Sequence, residues 1–403
     1  MLLSFAEKTI YLDCQNLYTM SVWGPLTERF ENKRPRKILA LDGGGIRGVI
    51  TLEILAEMES QLKKKLNKSD EFRLGDYFDY IGGTSTGAII AAGLSIGMSV
   101  QELLDFYLNK GKDMFDKTSI LKRWKSLYES GPLLKMLQDT FGADTDLVVS
   151  KGKYKSLLLV VTMNRTTDSP WPISNNPLAK YNDLARPDCN AKIKLYQLVR
   201  ASTAAPVYFP AETLQWDPQN PEKTFVFVDG GVTPYNNPAF LMYRMATQPA
   251  YNLNWEIGED KLLIISVGTG SATSAGTYDN LLEAAKGLPN NLMYTMQVDQ
   301  DINCRTVGRC CYGAAIDREL KFMIPMDESG NMLPLSQDTK RHFLYARYNA
   351  DLSREALDEL GLQHINSDHV REMDSVKYID QLSTVGKAVG KAQVKMEHFG
   401  RFV

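Results

Sequence analysis

Apolar and polar positions fall into alternating blocks along the 403 residues of the chain. Lys37–Leu41 (KILAL) is a short, nearly unbroken apolar run closed by Asp42 and three glycines, the pattern of a strand buried on both faces. From Val49 onward the apolar positions Leu52, Leu55, Met58, Leu62 and Leu66 recur at three- and four-residue spacing, which predicts a helix. Phe78–Ile81 reads as a second strand, followed by glycines and an apolar helix that begins near Ala88. Leu157–Val161, Phe225–Val228 and Leu262–Val267 read as further strands. Strands alternating with helical periods predict an α/β fold in three layers, a mostly parallel sheet flanked by helices. Asp168–Asn190, crowded with Pro, Asn and Asp, reads as a loop.

These shifts divide the chain into a lead segment over 1–35, a catalytic α/β region over 36–275, and a mainly helical region over 276–403 packed on it. Glu31–Arg36 reads as the linker that ends the lead segment. With 46 Lys+Arg against 48 Asp+Glu, bulk charge argues against a nucleic-acid polymer as partner. The five cysteines contain no CxxC pair, so they read as reduced thiols of a cytoplasmic protein and no zinc site is expected. Asp327–Asp338 loosely matches a calcium loop, but Met332 stands where the tight turn needs glycine, so it reads as a plain turn. No metal or cofactor is expected. The apolar stretch Ala88–Val100 is broken by Gly93, Ser95, Gly97 and Ser99 and is shorter than the ~20 residues of a spanning helix. A soluble protein with at most peripheral membrane contact is expected. For that contact the basic, aromatic segment with Lys122, Arg123, Trp124 and Lys125 is one candidate, and a solvated helix face is its plainer reading.

Two glycine-rich turns carry candidate chemistry. Gly83-Thr84-Ser85-Thr86-Gly87 is a GxSxG pentapeptide between a predicted strand and a predicted helix, a setting that lifts a serine hydroxyl clear of the backbone. Asp42-Gly43-Gly44-Gly45-Ile46-Arg47-Gly48, again between strand and helix, exposes backbone N–H groups suited to an anion. It lacks the Gly-Lys-Ser/Thr ending of a phosphate-binding loop, so an oxyanion of acyl transfer leads over a nucleotide phosphate. Arg47 would brace this loop or neutralise a lipid phosphate. A serine nucleophile needs a base. The histidines His342, His364, His369 and His398 all lie in the helical tail, whereas Asp229-Gly230-Gly231 directly follows a predicted strand. If the strands are parallel, their ends share one edge, where Asp229 would meet Ser85.

DGGGIRG, GTSTG and DGG, in that order, together with Ala201–Phe209 (ASTAAPVYF), Asn236-Asn237-Pro238 and Ser266–Gly270 (SVGTG), resemble the patatin-like phospholipase family. The resemblance covers about residues 37–270. It implies a lipid acyl hydrolase that cleaves membrane phospholipid esters through an acyl-enzyme. Ser85 would be the nucleophile and Asp229 the base, with amides at Gly43, Gly44 and Gly45 as the oxyanion hole and Gly83, Gly87, Gly230 and Gly231 in support. Some bacterial members resemble antiphage effectors switched on by cyclic nucleotides, so a cyclic-nucleotide activator and a homo-oligomer are open expectations. A soluble esterase or thioesterase with the same pair, and a non-catalytic nucleotide-binding module using the DGGG turn, are the alternatives.

Overall fold

The computed structural model describes residues 21–115, 131–206, 209–271, 281–336 and 340–403. Lys122, Arg123, Trp124 and Lys125 lie outside the described residues. The strands are β1 (Arg36–Leu41), β2 (Tyr80–Thr84), β3 (Leu157–Asn164), β4 (Ser169–Ser174), β5 (Glu212–Gln215), β6 (Thr224–Asp229), β7 (Leu262–Val267), β8 (Arg309–Tyr312) and β9 (Leu344–Tyr348). They form one sheet in the order β5-β6-β3-β2-β1-β7-β9-β8, with β4 also paired to β3. From β3 through β8 every neighbouring pair is parallel. At the other end β4 and β6 run antiparallel to β3, and β5 antiparallel to β6.

Among the helices of the described residues, α1 (Gly48–Lys65), α2 (Thr86–Ser95), α3 (Val100–Phe115), α4 (Leu195–Ser202), α5 (Ala239–Thr247), α6 (Leu281–Val307) and α7 (Ile379–Gln393) flank the sheet. A Cβ added at Gly82 would strike Met242 of α5, and one at Gly83 the backbone of Gly87 in α2. Successive strand residues face opposite sides, so α2 and α5 cover opposite faces of the sheet. That double cover is why β1 and β7 are mostly apolar, with Ile38–Leu41 and Leu262–Ile265 wholly buried. Gly386 and Gly390 of α7 let it lie directly against Ile50, Glu53 and Ile54 of α1.

Several expectations change. The stretch read as a loop, Asp168–Asn190, contains β4; its Pro170 and Pro172 are two apart on an edge strand, where a missing N–H is tolerated. The region beyond 275 is mainly helical, as expected, and in addition supplies β8 and β9 to the same sheet. The described part of the lead segment buries Trp23, Leu26 and Phe30 in the common core. Glu31–Arg36 is no free linker either. Arg29 and Arg34 both pair with Asp79, a carboxylate that is wholly buried and needs cations beside it, and Arg36 opens β1.

Candidate active site

Strand β2 runs along β3 and ends with Thr84 opposite Val161. Strand β6 approaches from the other direction and ends with Asp229 opposite Thr162. Because β4 occupies the far edge of β3 at these positions, β2 and β6 share one edge and meet end to end. Ser85 and Asp229 are the residues at that junction. The sequence reading brought them together through parallel strands ending at one edge; they do meet, but because β6 is antiparallel and collides head-on with β2.

Ser85 sits at φ 55°, ψ −122°, immediately before α2. A non-glycine residue in that region carries roughly 1–3 kcal/mol of strain, held by its surroundings. The surroundings are tight. A Cβ at Gly83 would strike the carbonyl of Gly87, and one at Gly87 the carbonyls of Leu41 and Asp42. Both glycines therefore allow β1, β2 and α2 to converge on the turn, and the Ala88 N–H closes it onto the Ser85 carbonyl at 2.8 Å.

The Ser85 hydroxyl donates to Asp229 Oδ2 at 2.6 Å. The second carboxylate oxygen, Oδ1, accepts the Gly231 N–H at 2.7 Å. Gly230 leaves room for the Val161 carbonyl, which a Cβ there would strike. Burial pushes the Asp229 carboxyl up to about 6, against the hydrogen bonds from Ser85 and Gly231 and the charge of Arg200, which pull it down. The four histidines are elsewhere. His342 bonds Tyr243, His398 bonds Tyr348, His369 stacks on Tyr378, and His364 lines a separate polar pocket.

The DGGG loop is fixed from behind. Asp42 is wholly buried and takes both Arg347 guanidinium NH groups, at 2.6 and 3.3 Å. Arg347 also donates to Ser266 Oγ at 2.6 Å and lies 3.8 Å from Asp301, which in turn pairs with Arg305. Burial raises the Asp42 carboxyl and Arg347 opposes that shift, while Asp42 holds the Arg347 guanidinium above its usual range. Arg347 was not singled out in the sequence, where an arginine in LYARY looks like any strand residue.

Gly43 departs from its expected role. Its N–H is engaged by the Asn236 carbonyl at 3.2 Å, and its carbonyl accepts Thr269 Oγ1 at 3.1 Å, so its amide is not free for an oxyanion. The Gly44 and Gly45 amides have no acceptor among the described residues, and both residues line the cavity with Ser85. Gly45 has φ 62°, and a Cβ there would strike the Met373 carbonyl, so only glycine fits. Arg47 braces the loop. It lies 3.5 Å from the Gly44 carbonyl and donates to the Arg371 carbonyl at 3.2 Å.

A cavity of about 300 Å³ opens over Ser85 and Asp229. Thr203, Ala205, Pro206 and Phe209 form one wall, Leu292, Met293 and Met296 of α6 a second, and Phe115 and Met373 contribute further apolar surface. Val232 and Leu292, both well exposed, also line it. The α6 wall was legible only as a Met-x-x-Met spacing that any buried helix face shares. Among the described residues, no helix is long and apolar enough to cross a membrane.

The sequence profile of the family described as Patatin-like phospholipase matches residues 39–243. Patatin-2-Kuras 1 of Solanum tuberosum is 29% identical over 279 residues, covering 64% of this chain and 69% of that protein. Patatin-17 of Solanum cardiophyllum is 31% identical over 279 residues, covering 64% and 67%. Among solved structures, human GIVD cytosolic phospholipase A2 overlays with a TM-score of 0.44 at 12% identity, covering 98% of this chain and 64% of that one. That last likeness is too loose to bear on the site.

Proposed function

The chain belongs to the patatin-like phospholipase family, a family of serine hydrolases, and from that premise we propose that it cleaves the acyl esters of membrane phospholipids with Ser85 and Asp229 alone as nucleophile and base. The observation that carries this reading is the 2.6 Å hydrogen bond from Ser85 to Asp229 at the wall of an apolar cavity.

In the first half-reaction Ser85 Oγ attacks the ester carbonyl while its proton passes to Asp229 Oδ2. The carbonyl oxygen becomes an oxyanion, received by the Gly44 and Gly45 amides; each such donor is worth about 2.7–4 kcal/mol in the transition state. Collapse breaks the ester C–O bond, and Asp229 returns the proton to the departing lysophospholipid oxygen. In the second half-reaction Asp229 takes a proton from water, whose oxygen attacks the acyl-serine. Fatty acid leaves, and the proton returns to Ser85. An ordinary aspartate is a weak base toward an alcohol, and a carboxyl pushed up to about 6 is a better one while still largely ionised at neutral pH.

The apolar lining, with Asp229 and Asp374 its charged members among the described residues, suits an acyl chain better than a nucleotide phosphate. Exposed Val232 and Leu292 suit a peripheral approach to a lipid surface from the cytoplasm. Gating by a cyclic nucleotide and assembly into a homo-oligomer belong to the same proposal. They are tested by liposome hydrolysis across protein concentrations, with and without cyclic nucleotides, beside light scattering; full activity at every concentration without ligand removes both.

The direct test is labelling of the purified protein with a fluorophosphonate probe. The parent is expected to be labelled once, at Ser85, and Ser85→Ala not at all. Equal labelling of both proteins overturns the assignment.

A further inference from the structure

The edge of β3 has a break where β2 gives way to β6, between the pairs Thr84–Val161 and Asp229–Thr162. The Val161 carbonyl faces this break, since a Cβ on Gly230 would strike it. The side chain that fills the break comes from neither strand. Ser202, the last residue of α4 and wholly buried, donates its hydroxyl to the Val161 carbonyl at 2.6 Å and accepts the Ser85 N–H at 2.9 Å. A serine hydroxyl has one proton and two lone pairs, so both bonds form together. Two residues on, the Ala204 carbonyl accepts the Asp229 N–H at 2.9 Å. One short stretch at the end of α4 thus holds the backbones of both residues at the junction.

We propose that Ser202 is a positioning residue that fixes the nucleophile in its strained turn and thereby sets the distance from Ser85 Oγ to Asp229. This rests on Ser85 and Asp229 being nucleophile and base. Without the Ser202 hydroxyl, the Ser85 N–H loses its acceptor and the Val161 carbonyl its donor, both inside the protein. The Ser85 peptide then gains by rotating away from φ 55°, toward solvent or another acceptor, and that rotation carries Oγ off the carboxylate. Ser202 does not line the cavity, although its neighbour Thr203 does, so substrate binding is left as it was. The loss falls on the bond-forming step.

The test compares the full chain with Ser202→Ala, well below the melting temperature of either. Labelling by a fluorophosphonate and hydrolysis of a small water-soluble ester are both followed. The variant is expected to label about ten- to a hundredfold more slowly and to lose kcat by a similar factor, as small misplacements of reacting groups do, with KM within about twofold. Labelling and kcat within about twofold of the parent, whatever happens to the melting temperature, overturn the proposal and leave Ser202 a packing residue. A change confined to KM overturns it too. Should Ser202→Ala fail to fold, Ser202→Gly, which also removes the hydroxyl at the end of the helix, is read by the same measurements, and an unchanged labelling rate there overturns it. A parent protein that is folded yet unlabelled speaks against the Ser85 reading itself, so the two failures are separable.

Discussion

Residues 36–271 and residues 281–403 build one site by different means. The first stretch supplies the groups at the junction, and each arrives in a short glycine-flanked motif: Ser85 between Gly83 and Gly87, Asp229 before Gly230 and Gly231, the free amides at Gly44 and Gly45. The second stretch supplies none of these. It brings Arg347 beneath Asp42, the α6 wall with Met293 and Met296, and Met373, whose carbonyl accepts the Ile46 N–H at 2.9 Å. The difference shows which parts of a site need local backbone geometry and which need only a side chain of the right kind delivered from far away. The first kind leaves glycines in the sequence. The second leaves almost no mark.

If the chemistry is confined to the first stretch, the largest effect comes from Ser85→Ala. It is expected to lower ester hydrolysis by at least ~10⁴-fold with the melting temperature unchanged, as loss of a nucleophile does. Substantial residual turnover would place a second nucleophile elsewhere.

Asp229→Asn is expected to lower kcat by about 10³- to 10⁴-fold, by analogy with loss of the acidic partner in other serine hydrolases. It also has a stability signature. A carboxyl whose pKa rises from 3.8 to about 6 on folding contributes stability that is fully present below 3.8 and is lost as pH climbs through about 6. At pH 8 the neutral variant should therefore be more stable than the parent, by up to about 3 kcal/mol, and the advantage should vanish near pH 4. Denaturant titration at the two pH values checks the sign. In the parent, kcat/KM should rise with pH through an inflection near 6, where the base ionises.

Arg347→Met probes the second stretch. It leaves Asp42 buried without its partner, and a loss of about 3–5 kcal/mol in unfolding free energy is expected from urea or guanidinium titration. A loss below about 1 kcal/mol would mean that the DGGG loop stands without the C-terminal arginine.

The smallest effect is one of selectivity. Met296→Trp narrows the cavity from the α6 side while leaving Ser85 and Asp229 untouched. Each methylene shut out forgoes about 0.8 kcal/mol, so the ratio of long-chain to short-chain ester hydrolysis should fall about fourfold per methylene. An unchanged ratio would detach α6 from the acyl chain.

Most of this fold was legible in the order of residues alone. Lys37–Leu41 and Leu262–Val267 are strands to within a residue, because a strand buried on both faces reads as a near-continuous apolar run. β4 was hidden by its prolines, and β9 by sitting in a region whose periodicity is otherwise helical. In the candidate site, the meeting of Ser85 with Asp229 was legible and the engagement of the Gly43 N–H was not. Whether an amide in a glycine run is free depends on what stands opposite it, and here that is Asn236, distant in the chain.

The sequence by itself determined the turns: which residue is a strained serine, which carboxylate follows a strand, and where the backbone must be bare. Those are properties of a few neighbouring residues, and sterics enforce them locally. Only the tertiary structure decided how the two turns meet. β6 runs antiparallel and ends against β2, an outcome of strand direction in the sheet that no local pattern encodes. The same holds for Ser202, which occupies the break, and for Arg347, which neutralises Asp42 from 305 residues away. Contacts of that range are set by the packing of whole layers, and the residues making them carry no signature until the layers are in place.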